Sequence, residues 1–530
     1  MSLFSFSFVV FLILVFLLYF SFPKRWDQYQ WVILLVGSYI FYAYAGIGLI
    51  SFLLISTVST WCGGLILGRI NVAYKKQLGD CSGQEKKILK TASTRKKRIV
   101  VTVIALLNFG ILAVLKYSGF FIENVNLMLS GTAKAPIQAV DFILPLGISF
   151  YTFQSMGYLF DVYRARYEPD RNILQYALFV SYFPQIIQGP IGRHNELARQ
   201  LYTPHRFDYQ RLAFGTQRVL WGYFKKMVIA DRIAILTSEV VKNYAEYEGF
   251  TVFIGVMFYT IQIYADFSGG MDIVCGISQA LGIELTENFR HPYFSLSVAE
   301  FWQRWHITLG SWMREYVFYP LAMSKPFGKL SKKLRGTVGP FAAKVLPTSL
   351  ASFAVFIVVG IWHGAGWHYV VYGLYQAYFV STGTLFQPFY AKCREICGIN
   401  EERTSWKLFK MLRTTLVVTV GRYFVHANTL HDALYMFKAT VSTFNPWIFF
   451  DGSLYQLGLD RINFQLMLLT VILLLVVDLV QERGIQIRET IARQNIVFRW
   501  AVYYLAFFSI VIFGIYGPGY NASSFIYQNF

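Results

Sequence analysis

The stretch SLASFAVFIVVGIWHGAGWHYVVYGLYQAYFV, residues 349–380, decides the class of this chain. It contains no acid, lysine or arginine. An apolar run of this kind belongs in a bilayer, where about 20 helical residues cross the hydrocarbon. The run exceeds one straight span and falls short of two spans with a loop. Gly360, Gly364 and Gly366 supply a place to bend. The length and the glycines therefore predict a buried turn that presents His363.

Apolar runs recur outward from this segment in both directions, at roughly 3–22, 31–46, 48–68, 99–119, 142–160, 173–189, 251–267, 414–427, 464–480 and 497–516. With 55% hydrophobic and 18% aromatic residues among 530, the chain is an all-α polytopic membrane protein of about ten to twelve transmembrane or re-entrant helices. No linker, low-complexity tract or long-period repeat divides it, so residues 1–530 read as one membrane-embedded domain. The run from Leu3 to Phe22 lacks a basic start and a cleavage pattern and reads as a retained helix.

The net charge of +19 excludes less than it suggests. The basic residues cluster in two polar segments, 71–98 and 324–345, and the second has no acid. Such clusters mark cytoplasmic loops. The N-terminus at Met1 is then expected outside. The partners expected from this are membrane lipids; no nucleic-acid module is present. Cys62, Cys81, Cys275, Cys393 and Cys397 form no disulfide or zinc pattern, and no metal site is expected.

Between Leu144 and Phe379 the apolar runs are broken by Pro, Gly and polar residues, as in LPLGISFYTFQS (144–155), FPQIIQGPIGRH (183–194) and YADFSGGMD (264–272). Broken backbone at membrane depth is tolerated inside protein or beside a wet cavity. A central polar chamber built from about 140–380 follows, with peripheral helices at 1–139 and 381–530. FWQRWHITLGSWMREY (301–316) adds a second intramembrane histidine, His306. Trp302–Tyr319 has no internal proline before Pro320 and reads as a helix, with Glu300 and Arg304 spaced for an i,i+4 ion pair. An ionisable ring at membrane depth points to a functional site. His363 and His306 are thus candidate catalytic residues, and Trp302, Arg304, Trp305, Trp362, Asp266 and Ser268 are candidates for lining the substrate channel. His368, five residues from His363, is read as structural, and His194, His205, His291 and His431 as loop or interface residues.

LPLGISFYTFQSMGYLFDVYR (144–164), SYFPQIIQGPIGR (181–193), LWGYFKKMVIADR (220–232), YTIQIYADFSGGMDIVCGI (259–277), ENFRHPYFSLSVAEFWQRWHITLGSWMREYVFYPL (287–321) and GIWHGAGWHYVVYGL (360–374) together resemble the membrane-bound O-acyltransferase family. Within it the chain resembles the bacterial branch that modifies alginate and teichoic acid, which implies a bacterial cytoplasmic membrane. The resemblance covers about 140–380 and implies transfer of an acyl group, acetyl above all, from a cytoplasmic thioester to an extracytoplasmic polysaccharide or cell-wall acceptor. It implies His363 as the invariant residue and His306 as the second histidine of this branch. It further implies no permanently bound cofactor, a donor that is acetyl-CoA or an acyl carrier protein, and an acceptor glycan or a separate extracytoplasmic transferase as partner. Two departures concern the acceptor. Pro320-Leu321-Ala322-Met323 stands where alginate-modifying members have PLGG, and His426, in GRYFVHANTLHDAL (421–434), stands where an Arg is usual. The competing readings are D-alanyl transfer to teichoic acid from a carrier protein, and a transporter or flippase.

The chemistry of the residues is compatible with acyl transfer. A hydroxyl that attacks a thioester must lose its proton, and a neutral imidazole with a reference pKa of about 6.5 suits that task. A second imidazole can orient the acceptor or stabilise the developing oxyanion.

Overall fold

The computed structural model describes residues 3–79, 82–130, 136–140 and 142–516. Met1 and Cys81, which the orientation and cysteine readings invoke, lie outside the described residues. The chain is all-α; no strand occurs among the described residues, where Phe289 and Trp305 form an isolated antiparallel bridge. Six of the described helices are long and apolar enough to cross a membrane. The chain divides into two compact units.

The first unit comprises residues up to 216 together with 274–286. It contains α1 (Phe6–Phe20), α2 (Trp31–Ala43), α3 (Ile50–Leu78), α4 (Gly83–Leu129), α5 (Ile148–Tyr163) and α6 (Ile173–Ser181). Its helices are joined by buried polar pairs. Ser56 donates to Asn108 (2.7 Å), Thr60 and Tyr176 share a 2.8 Å bond, and the Gln185 amide donates to Gln154 (2.7 Å). Interhelical bonds of this sort satisfy side chains that lipid would leave unsolvated. Asp161, two residues before the end of α5, pairs with Arg166 at 2.9 Å, as expected at the end of a span. Segment 71–98 is helical over 71–78 and 83–98. α3 and α4 extend into it, and Glu85 accepts from the Ser82 backbone N–H (2.8 Å) in a capping box that starts α4.

The second unit comprises residues 217–273 and those from 287 onward. It holds α7 (Phe250–Ala280), whose residues up to 273 belong here, α8 (Val298–Arg304), α9 (Ile307–Met313), α10 (Lys325–Thr337), α11 (Gly339–His363), α12 (Trp367–Leu385), α13 (Thr404–His426), α14 (Arg461–Glu482) and α15 (Ile496–Phe513). The run 349–380 is the inner part of two full helices, α11 and α12, which extend beyond it at both ends. Segment 324–345 is likewise helical. Pro326 and Pro340 lie in the first turns of α10 and α11, where a missing N–H costs nothing. Gly360 is where the two arms meet: a Cβ there would lie 2.5 Å from the Tyr369 carbonyl and 3.1 Å from the Gly373 Cα. Small residues allow this approach between helices.

Candidate active site

His306 is not inside a helix. The expected helix Trp302–Tyr319 breaks at Trp305 and His306, continues as α9, and passes through a π-helical turn at Arg314–Phe318. The cause is a segment distant in sequence. Residues 288–290 bond to this stretch: Arg290 N–H donates to the Arg304 carbonyl (2.9 Å) and Ile307 N–H to the Asn288 carbonyl (3.0 Å). His306 takes φ +47°, a left-handed conformation that costs an L-residue about 1–2 kcal/mol.

Asn288 fixes the ring. Its side-chain oxygen accepts from the Thr308 N–H (3.0 Å) and hydroxyl (2.9 Å), and His306 Nδ1 faces the same oxygen at 3.3 Å. The Thr308 N–H can only donate, so the atom facing it is the amide oxygen. An acceptor facing Nδ1 favours the proton there, which leaves the lone pair on Nε2.

His363 ends α11, and Gly364–Gly366 turn the chain into α12. Both histidines are buried, at 1% and 3% exposure. Trp362 contacts both, its ring 5.7 Å from that of His306 and 5.1 Å from that of His363. The imidazole centroids can be no further apart than those two steps together. Phe267 packs edge-on against His306 (4.9 Å), and Tyr372 against His363 (5.6 Å). A cavity of about 240 Å³ opens beside His306, lined chiefly by apolar residues of α9, α11 and α12 together with Trp302, Gln303, Arg314 and Ser352. His363 is not among its lining residues.

The other sequence candidates divide. Trp302 walls the cavity and donates its indole N–H to Gln376 of α12 (3.1 Å). Trp305 and Trp362 pack around the histidines. Arg304 makes the expected pair with Glu300 (2.7 Å) and a second with Glu482 (2.7 Å), which ties α8 to α14. Asp266 and Ser268 meet lysines: Lys226 lies 2.6 Å from Asp266 and 2.8 Å from Asp231, while Lys225 lies 2.9 Å from Ser268 and 2.6 Å from Asp272. Both lysines sit in a π-helix, Phe224–Ala230. His368 packs on Tyr369 (4.1 Å). His426 stacks on Tyr259 (3.9 Å) at the end of α13, and the same helix carries a fully buried guanidinium one turn earlier, at Arg422. Asn288, Gln376 and Arg422 went unremarked in the sequence. Asn288 and Arg422 lie inside the quoted motifs, but nothing local marks any of the three as touching a histidine segment.

The family model described as MBOAT, membrane-bound O-acyltransferase family, matches residues 170–395, a span that includes both histidines. A protein of Pseudomonas syringae pv. tomato named "Probable alginate O-acetylase AlgI" is 30% identical over 422 residues, covering 79% of this chain and 71% of that protein. The "Peptidoglycan O-acetyltransferase" of Helicobacter pylori is 29% identical over 446 residues, covering 79% and 74%. The "Teichoic acid D-alanyltransferase" of Bacillus subtilis is 26% identical over 260 residues, covering 47% and 60%.

Proposed function

We propose that this chain, which belongs to the membrane-bound O-acyltransferase family and is a multi-pass O-acyltransferase, moves an acetyl group from a cytoplasmic thioester to a hydroxyl of an extracytoplasmic glycan. The observation that carries the reading is that His306 and His363, from two separate segments, both pack against the Trp362 ring, with an apolar cavity beside His306. The donor is acetyl-CoA or an acyl carrier protein, and the thioester arm occupies the cavity next to His306. The acceptor is the glycan itself or a separate extracytoplasmic transferase that relays the group. Relatives named for alginate and peptidoglycan O-acetylation support the choice of acyl group and acceptor class.

The two imidazoles act as a unit. The acceptor hydroxyl attacks the thioester carbonyl as one imidazole takes its proton. The tetrahedral intermediate collapses, the C–S bond breaks, and the proton passes to the departing sulfur. The products are the O-acyl ester and the free thiol. Asn288 gives His306 the tautomer of a proton acceptor at Nε2, and His363 holds the reacting hydroxyl in line. A positioned base contributes about 10²–10⁴-fold.

The membrane is the bacterial cytoplasmic one, with basic segments 71–98 and 324–345 inside and the N-terminus outside. The test is acyl release from purified surface glycan, normalised to membrane protein level. His363→Ala is expected to abolish acylation while the protein remains inserted. Near-normal acylation by a well-expressed His363→Ala protein overturns the reading in favour of a transporter. A cysteine placed at position 85 and labelled in intact cells by an impermeant reagent would reverse the orientation.

A further inference from the structure

We infer that Arg422 is a positioning residue that clamps the two histidine-bearing segments onto one centre. The guanidinium is 0% exposed, on α13, an element that carries neither histidine. Its Cζ lies 4.9 Å from the centroid of the Trp305 ring, the residue before His306. Its Nη1 donates to the hydroxyl of Tyr372 at 3.2 Å, and the Tyr372 ring packs against His363 at 5.6 Å. One planar cation therefore touches the residue next to His306 in the chain and the ring that packs on His363. It stacks on an indole face, which a guanidinium does well, and it holds a hydroxyl at fixed distance.

Each segment needs such a tie. His306 sits on strained backbone between two seven-residue helices. His363 sits at the last residue of α11, where the chain turns. A ring at a helix end or in a break depends on other elements for its placement, and an error of 1 Å costs about 10²-fold in rate. The contact with Trp305 adds a side-chain tie to the backbone bonds that residues 288–290 make around 304–307. The Tyr372 bond fixes the ring that borders His363. Lysine keeps the charge but has neither the plane nor the fork, so it satisfies at most one of the two contacts.

The inference rests on the proposed roles of His306 and His363, and the experiment separates the two claims. Arg422→Gln, Arg422→Lys, Tyr372→Phe and the Arg422→Gln/Tyr372→Phe double variant are purified, checked for monodispersity and thermal stability, and assayed beside His363→Ala. Arg422→Gln is expected to lower kcat about 10²-fold with donor KM within about threefold of wild type. Arg422→Lys should recover part of the kcat loss. Tyr372→Phe should lose less, and the double variant should be little worse than Arg422→Gln, because the two act through one contact. If Arg422→Gln does not fold, Tyr372→Phe and Arg422→Lys decide: a kcat loss at wild-type KM and stability supports the clamp, and wild-type kcat in both overturns it. Full kcat in a folded Arg422→Gln protein overturns the clamp while an inactive His363→Ala leaves the site intact. An active His363→Ala overturns the site and the clamp with it.

Discussion

The two candidate histidines reach one neighbourhood from opposite kinds of backbone. His363 ends a 25-residue apolar helix and is placed by packing, through the close crossing of α11 and α12 at Gly360 and Gly373. His306 lies in a break between two seven-residue helices and is placed by hydrogen bonds, through Asn288 and the bridge of Phe289 to Trp305. A membrane interior offers both routes. Volume excluded between long helices can aim a ring, and so can a polar scaffold whose donors and acceptors are all used among themselves. The first route should fail when volume is added, and the second when a single acceptor is lost.

The largest expected effect removes the contrast altogether. His306→Ala is expected to lower turnover by the roughly 10²–10⁴-fold of a lost base, and His363→Ala by at least as much. The double variant should be scarcely worse than the poorer single, because residues acting as a unit are non-additive. Multiplicative losses in single-turnover acylation would mean two independent sites. His368→Ala, outside the pair, should remain substantially active.

Next is the hydrogen-bonded arm. Asn288→Ala removes the acceptor shared by His306 Nδ1, Thr308 N–H and the Thr308 hydroxyl, and kcat should fall about 10²-fold. Asn288→Asp keeps an oxygen acceptor and should recover part of it. Equal activity of Asn288→Ala and wild type would mean that the tautomer of His306 is set elsewhere.

The packed arm responds to volume. Gly360→Ala puts a methyl against the Tyr369 carbonyl and should destabilise the hairpin by about 1–3 kcal/mol, seen as a lower melting temperature in detergent. An unchanged melting temperature would show that α11 and α12 can separate freely.

The smallest effect separates strain from chemistry at His306. Glycine adopts positive φ without the steric cost, so His306→Gly should be about 1 kcal/mol more stable than His306→Ala and equally inactive. A His306→Gly protein less stable than His306→Ala would deny that the left-handed backbone is under strain.

These contrasts also explain what could be read from the sequence. The apolar helices were legible because a lipid environment demands sustained apolarity of each one separately: α3, α14 and α15, long enough to span, and the shorter α1, α2 and α5 fall on the expected runs. The ends of α11 were not. Lys344 and Pro347 resemble loop residues, yet the helix runs through both from Gly339. Trp302–Tyr319 was misread as one helix because the residue that breaks it, Asn288, acts from 18 positions away. The histidines themselves stood out as titratable rings in apolar surroundings. Their supports did not, since Asn288 and Arg422 each look ordinary until the fold brings them to His306 and Tyr372. Lys225 and Lys226 are a related case. Read locally they resemble an interfacial basic pair, and only the fold places them against Asp272 and Asp266.

Helix α4 has a consequence of a different kind. At 47 residues and 1.5 Å of rise each, it is about 70 Å long, more than twice the roughly 30 Å of a hydrocarbon core. Its first 16 residues carry Lys86, Lys87, Lys90, Arg95, Lys96, Lys97 and Arg98 ahead of the uncharged stretch that begins at Ile99. Lys97 is anchored to Asn71 of α3 (3.1 Å) and to the Tyr163 carbonyl (3.3 Å). The cationic turns cannot lie in hydrocarbon without large cost, so the change near residue 99 is the place on this helix where a bilayer boundary has to fall, whichever leaflet that is.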